Sequence, residues 1–286
     1  MNIKTVLLSL GVLISIPALW LHWSFGDSHA EDLRELQMTV DDLDRIGSEI
    51  NSLALRARFN IDKNYDKLSS ATLAAGQLLS QLQVWHKRLY EQGETTLVAQ
   101  LGSYLEAWEI RLDTLENFKS HNSVLRNSSR YAPEAAEELR WSARRADVVL
   151  PGISLDSIRA NLLEYAITNS RVLKINLNLS LQDLAHMEDQ LPGAIQSQLQ
   201  RFHNHVSVVL DKQETTQRYL NKVISGGSAQ PGSIKGSIAD RISALEDRQQ
   251  QRDNIIAAYI LLMTLGLLIV LGYQALTGNR VRYATR

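Results

Sequence analysis

Between Ile255 and Leu276 the chain reads IIAAYILLMTLGLLIVLGYQAL, 22 residues with no charged side chain. Twelve of them are Leu, Ile or Val, each worth roughly −0.3 to −0.6 kcal/mol at the centre of a bilayer. As a helix rising 1.5 Å per residue the run is about 33 Å long, and a hydrocarbon core is about 30 Å thick. A membrane crossing at 255–276 is the strongest constraint the sequence offers. Only a short basic tail, 277–286, follows it.

A second uncharged run, Thr5–Phe25, lies near the other end. It exceeds the apolar region of a signal peptide, about 7–15 residues, and it closes on Trp20 and Trp23, side chains suited to a membrane interface. An uncleaved span is therefore expected, with a signal peptide cut near Ser28-His29-Ala30 as the rival reading. Lys4 precedes the first run, and Arg280, Arg282 and Arg286 follow the second. The positive-inside rule then places both termini in the cytoplasm and the intervening chain outside. The expected organisation is a cytoplasmic 1–4, a span over 5–25, exterior helical-bundle halves over 26–150 and 151–254, a span over 255–276 and a cytoplasmic 277–286.

The exterior part reads as all-α. Apolar positions step by three and four through Leu36, Val40, Leu43, Gly47, Ile50, Ala54, Ala57 and Ile61, a coiled-coil-like seam. Further helices are expected over 69–91, 95–129, 134–150, 154–190 and 194–224, punctuated by Gly93, Pro133, Pro151-Gly152 and Pro192-Gly193. After the loop SGGSAQPGS (225–233), Ile238, Ile242 and Leu245 lead into the second apolar run without Pro or Gly. One rod through exterior and membrane is expected there. Arg56, Asn60 and Asn64 are spaced to share a helix face. A faint repeat sets Phe118, His121, Ser123 and Val124 against Phe202, His205, Ser207 and Val208, 84 positions on.

The composition excludes several chemistries. With no cysteine the chain has no disulfide, thiolate nucleophile, zinc–thiolate site or Fe–S cluster. A net charge of −1 gives nucleic acid no electrostatic hold. His203 and His205, two positions apart on a helix, point to different faces and make no metal pair. His86, His121 and His186 belong to no catalytic constellation. Neither a phosphate-binding glycine loop nor a nucleophile elbow is present. No enzymatic activity, metal or cofactor is expected.

Two strings, LRARFNIDKNYDKL (55–68) and FKSHNSVLRNSSRYAP (118–133), resemble the motifs of the DAHL domain. That domain is the double all-helical extracytoplasmic sensory module of bacterial two-component sensor kinases. The resemblance covers roughly 30–250. It implies a periplasmic bundle pair on the bacterial inner membrane. It also implies a ligand pocket or packed polar network among Arg56, Arg58, Tyr65, Asp66, Lys119, Asn122, Arg126 and Asn127. The sequence departs from the kinases after the second run, where neither a phosphoacceptor helix nor an ATP-binding domain follows.

The expected function is sensory: a ligand or partner bound outside shifts the helices, and the shift passes through two spans to a separate kinase or other output protein. The bilayer and that output protein are the expected partners, with a homodimer through the Leu36–Ile61 seam as a further one. The ligand's identity is left open. Two alternatives stand beside this reading, the input half of a truncated or split sensor kinase and a scaffolding protein of the envelope.

Overall fold

The computed structural model describes residues 28–150, 155–226 and 231–283. Their elements are α1 (Ser28–Arg58), α2 (Asp66–Glu91), α3 (Thr95–Arg145), α4 (Leu155–Thr168), α5 (Arg171–Met187), a 3₁₀ turn (Glu188–Gln190), α6 (Gly193–Ile224) and α7 (Pro231–Tyr283). The all-α expectation holds, with no strand among the described residues. The run 5–25 lies outside them. Among the described residues no helix is long and apolar enough to cross a membrane. The run from Ile255 lies within α7, where the side chains of Leu267 and of residues from 270 onward are also outside the description.

The helix boundaries correct the sequence reading in three places. α1 stops at Arg58 because Asn60 takes a left-handed conformation, φ 57°, which breaks the helical ladder. Ile61 is therefore exposed instead of closing the seam, and Arg56, Asn60 and Asn64 share no helix face. The second difference is at Pro133, which opens no new helix and sits inside α3. An internal proline costs about 3 kcal/mol. The penalty is outweighed because Leu125, Ala132, Ala136 and Leu139, spaced by three, four and seven on either side, are all at most 2% exposed. Third, the helix expected over 154–190 is a hairpin. Asn169 is left-handed, φ 54°, and Ser170 caps α5 by accepting from the Leu173 amide.

The described chain forms two compact units, Val40–Pro231 and a second that joins the segment up to Thr39 with the segment from Gly232. In the larger unit the bonds Tyr104 to Asp44, Arg111 to Asn51 and Asn122 to the Ala57 carbonyl rise together, so α1 and α3 run parallel. α6 runs antiparallel to α3, with His121 stacked on Tyr219 and Tyr131 against His205. α3 and α6 each serve two bundles. The first half of α3 packs with α1, α2 and the end of α6. Its second half packs with α4, α5 and the start of α6, in a core from Leu125 through Leu162, Tyr165, Leu177 and Leu184 to Phe202 and Leu210.

This arrangement gives the faint repeat a physical form. Phe118 and Phe202 are both fully buried, on antiparallel helices, and His121 and His205 each meet a tyrosine of the other helix. The triplets α1–α3 and α4–α6 follow one another along the chain. The bundles in space do not, because the far halves of α3 and α6 are exchanged between them.

Close approach within the first bundle depends on Gly47. A Cβ there would lie 2.7 Å from Arg111 Nη1 and 3.0 Å from the Trp108 ring. Arg111 is held through Nη2 by the Gly47 carbonyl and Asn51 Oδ1, both at 2.8 Å, and lies 4.5 Å over Trp108, so displacing it sacrifices those contacts. At Gly76 nothing lies within 4 Å of such a Cβ. Alanine gains about 1 kcal/mol of helix propensity over glycine, and overpacking costs about 1–3. Thermal melts are therefore expected to rank Gly76→Ala above the parent and Gly47→Ala below it. A Gly47→Ala protein as stable as the Gly76→Ala one would show that Arg111 swings aside.

In the smaller unit Leu33 and Leu36 of α1, and Ile234 and Ile238 of α7, are at most 2% exposed, and Arg34 pairs with Glu246. α7 is continuous from these buried residues to Tyr283, as the rod expectation requires.

Candidate functional site

α1 and α4 end near one level of the larger unit, each on a left-handed asparagine. Arg58, the last residue of α1, is 7% exposed. Its guanidinium donates to the Ala166 carbonyl at 2.8 Å and to Gln213 Oε1 at 2.7 Å. Gln213, wholly buried in α6, donates in turn to the same Ala166 carbonyl at 3.0 Å. No carboxylate pairs with Arg58 among the described residues, and burial alone pulls its pKa below the ordinary arginine range. Arginine stays protonated under such a shift, so a cation sits in the interior against the neutral Ala166 carbonyl and Gln213 amide.

The layer extends on both sides of Arg58. Asn122, wholly buried in α3, donates from Nδ2 to the Ala57 carbonyl at 3.2 Å and to the Tyr65 hydroxyl at 2.8 Å. Arg126 lies over the Tyr65 ring, 5.7 Å from its centroid, and donates to the Lys63 carbonyl at 3.0 Å. Four buried polar atoms here have no hydrogen-bond partner among the described residues: Arg58 Nε, Asn122 Oδ1, Tyr165 Oη and Thr216 Oγ1. Burial, with the Glu214 charge behind it, raises the Tyr165 pKa and keeps its hydroxyl protonated. Buried polar groups are nearly always paired, so a cluster of orphans is unusual.

Of the residues singled out from sequence, Arg58, Tyr65, Asn122 and Arg126 come together here. The other four do not join them. Arg56 is exposed and clasps Asp62 with two bonds of 2.8 and 2.9 Å. Asp66 starts α2 and accepts from Asn64. Lys119 pairs with Glu116 one turn back, at 2.7 Å, and Asn127 is exposed. Sequence reading missed Gln213, Thr216 and Tyr165, although Gln213 and Thr216 stand in register with Phe202, Val206, Val209, Leu220 and Val223. Polar residues at seam positions were the available signal.

The Arg56–Asp62 clasp closes the turn between α1 and α2. The Arg56 hydrogen bond holds the Asp62 carboxyl below its ordinary pKa. A depressed carboxylate contributes ordering above its unfolded pKa, and the contribution is lost as pH falls through the folded value. Hydrogen exchange of residues 59–64 is therefore expected to quicken in acid beyond its intrinsic rate. Asp62→Asn should remove that extra pH dependence by giving the open-turn rate throughout. Parent-like protection in Asp62→Asn would show that the turn holds without the clasp.

Residues 30–256 match the sequence model of the DAHL domain. The chain belongs to the DAHL family. No curated protein and no solved structure matches it. The DAHL domain is a sensory module of sensor kinases, which agrees with a signalling role. Its matched region takes in every helix that lines the polar layer, and in this DAHL domain the layer lies where the two bundles exchange α3 and α6.

Proposed function

We propose that this protein is a two-pass sensor of the bacterial inner membrane, with both termini in the cytoplasm and the DAHL domain in the periplasm. The observation that carries the reading is the course of α7, one helix from the buried Ile234 and Ile238 into the uncharged run from Ile255. α1 complements it, since it begins just beyond the first apolar run and ends on Arg58 in the polar layer. A ligand that repacks the layer pushes on the end of α1, and interface shifts of about 1–2 Å are a known switching mode. Output passes to a separate signalling protein, and the chain itself catalyses nothing.

Single cysteines provide the test, because the chain has none of its own. In intact cells a membrane-impermeant maleimide should label Ser120→Cys and leave Thr285→Cys unlabelled until the membrane is opened. Labelling of both, or of neither, in intact cells would defeat the proposed topology.

A further inference from the structure

We infer that the layer at Arg58 binds a small oxyanion carrying its own hydrogen-bond donor, such as a short hydroxycarboxylate or bicarbonate. The assignment deepens the sensory reading and takes its biological meaning from it. The four unpartnered atoms belong to residues that are 7% exposed or less: Arg58, Asn122, Tyr165 and Thr216. Bonds already present tie them together. Arg58 binds the carbonyl next to Tyr165 and the side chain of Gln213, one turn before Thr216, and Asn122 binds the carbonyl next to Arg58.

Their chemistry defines what would satisfy them. Arg58 Nε can only donate, and the buried guanidinium has no negative partner among the described residues. The Tyr165 and Thr216 hydroxyls donate or accept. Asn122 Oδ1 only accepts, since the amide nitrogen of that side chain is already engaged by Ala57 and Tyr65. An anion meets the first three. Asn122 Oδ1 requires in addition a hydrogen on the ligand, which a bare carboxylate does not bring. Gln213 leaves no charge to compete, because its amide is neutral and spent on Arg58 and Ala166. Every member is buried, so the layer must open to admit the ligand, and that opening is the repacking the sensory reading calls for.

Glycolate and acetate differ by one hydroxyl and make the decisive pair. The full chain in lipid nanodiscs would be melted at constant ionic strength against each of them. A saturable rise in Tm is expected with glycolate, with acetate weaker by about tenfold or more, because a buried acceptor left unpaired discriminates strongly. Arg58→Met should abolish the response, and Thr216→Val should keep the fold and weaken the glycolate response. Equal responses to the two anions would overturn the assignment. So would a parent-like glycolate response in either variant, or no saturable response at all. Failure of the cysteine-labelling topology would leave this binding result standing, and failure here would leave the topology standing.

Discussion

Gln213→Leu is expected to lower stability by about 2–3 kcal/mol, and most of that loss should vanish when Arg58→Met is added. Gln213 gives Arg58 its one side-chain acceptor among the described residues, at 2.7 Å, with both residues buried. Hydrogen bonds to charged groups are worth about 1.5–3 kcal/mol, and removing one partner also exposes the other to its full desolvation penalty. Leucine matches glutamine in bulk, so little cavity is expected and the loss reports the stranded cation. In the double variant the cation is gone and two apolar chains of similar volume occupy the layer, an exchange that is often neutral or stabilising. Denaturant melts of the four proteins in the cycle give the coupling. Additive losses would mean that Arg58 finds another acceptor, and the layer would then be an ordinary part of the core.

The same residues show how far sequence carries for this fold. The long helices were legible because their apolar steps of three and four persist from Leu36 to Ala57 in α1 and from Leu199 to Leu210 in α6. The ends of helices were less so. Asn60 and Asn169 stop their helices by adopting positive φ, a choice that nothing in their neighbours' polarity announces. Pro133 announced a break that core burial on both sides overrode. At the site, Arg58 and Asn122 stood out by composition and motif. The acceptors that give Arg58 its character lie 108 and 155 residues away, and no local pattern pairs residues at that separation. Gln213 and Thr216 were legible in principle, as polar side chains occupying apolar register. The exchange of α3 and α6 between bundles shows in pairs such as His121–Tyr219 and Tyr131–His205, which cross from one repeat to the other.

That exchange makes the two bundles one cooperative structure, and truncating either buried phenylalanine tests it. Phe118 and Phe202 are each 0% exposed, and a buried Phe→Ala change costs about 3–5 kcal/mol through lost transfer energy and the cavity left behind. Phe202 belongs to the core shared with α4 and α5, whereas Phe118 lies toward α1 and α2, between Leu115 and Asn122. In two independent bundles Phe202→Ala would melt one and leave the other at its parent temperature. Here α3 spans 51 residues, about 77 Å at 1.5 Å per residue, and contributes to both cores. Losing one bundle leaves half of α3 and half of α6 with their apolar faces open to water, and helices in that state are marginal alone. Each variant is therefore expected to melt in a single transition at a lower temperature than the parent, with far-ultraviolet circular dichroism and tryptophan fluorescence coincident. Fluorescence reports the first bundle chiefly, through the buried Trp85 and Trp108, because Trp141 at the end of α3 is 60% exposed, whereas circular dichroism reports both bundles. A biphasic melt in Phe202→Ala, with the signal of the first bundle unmoved, would show that the bundles fold apart. The polar layer would then be a hinge between two domains and could not act as a strut within one.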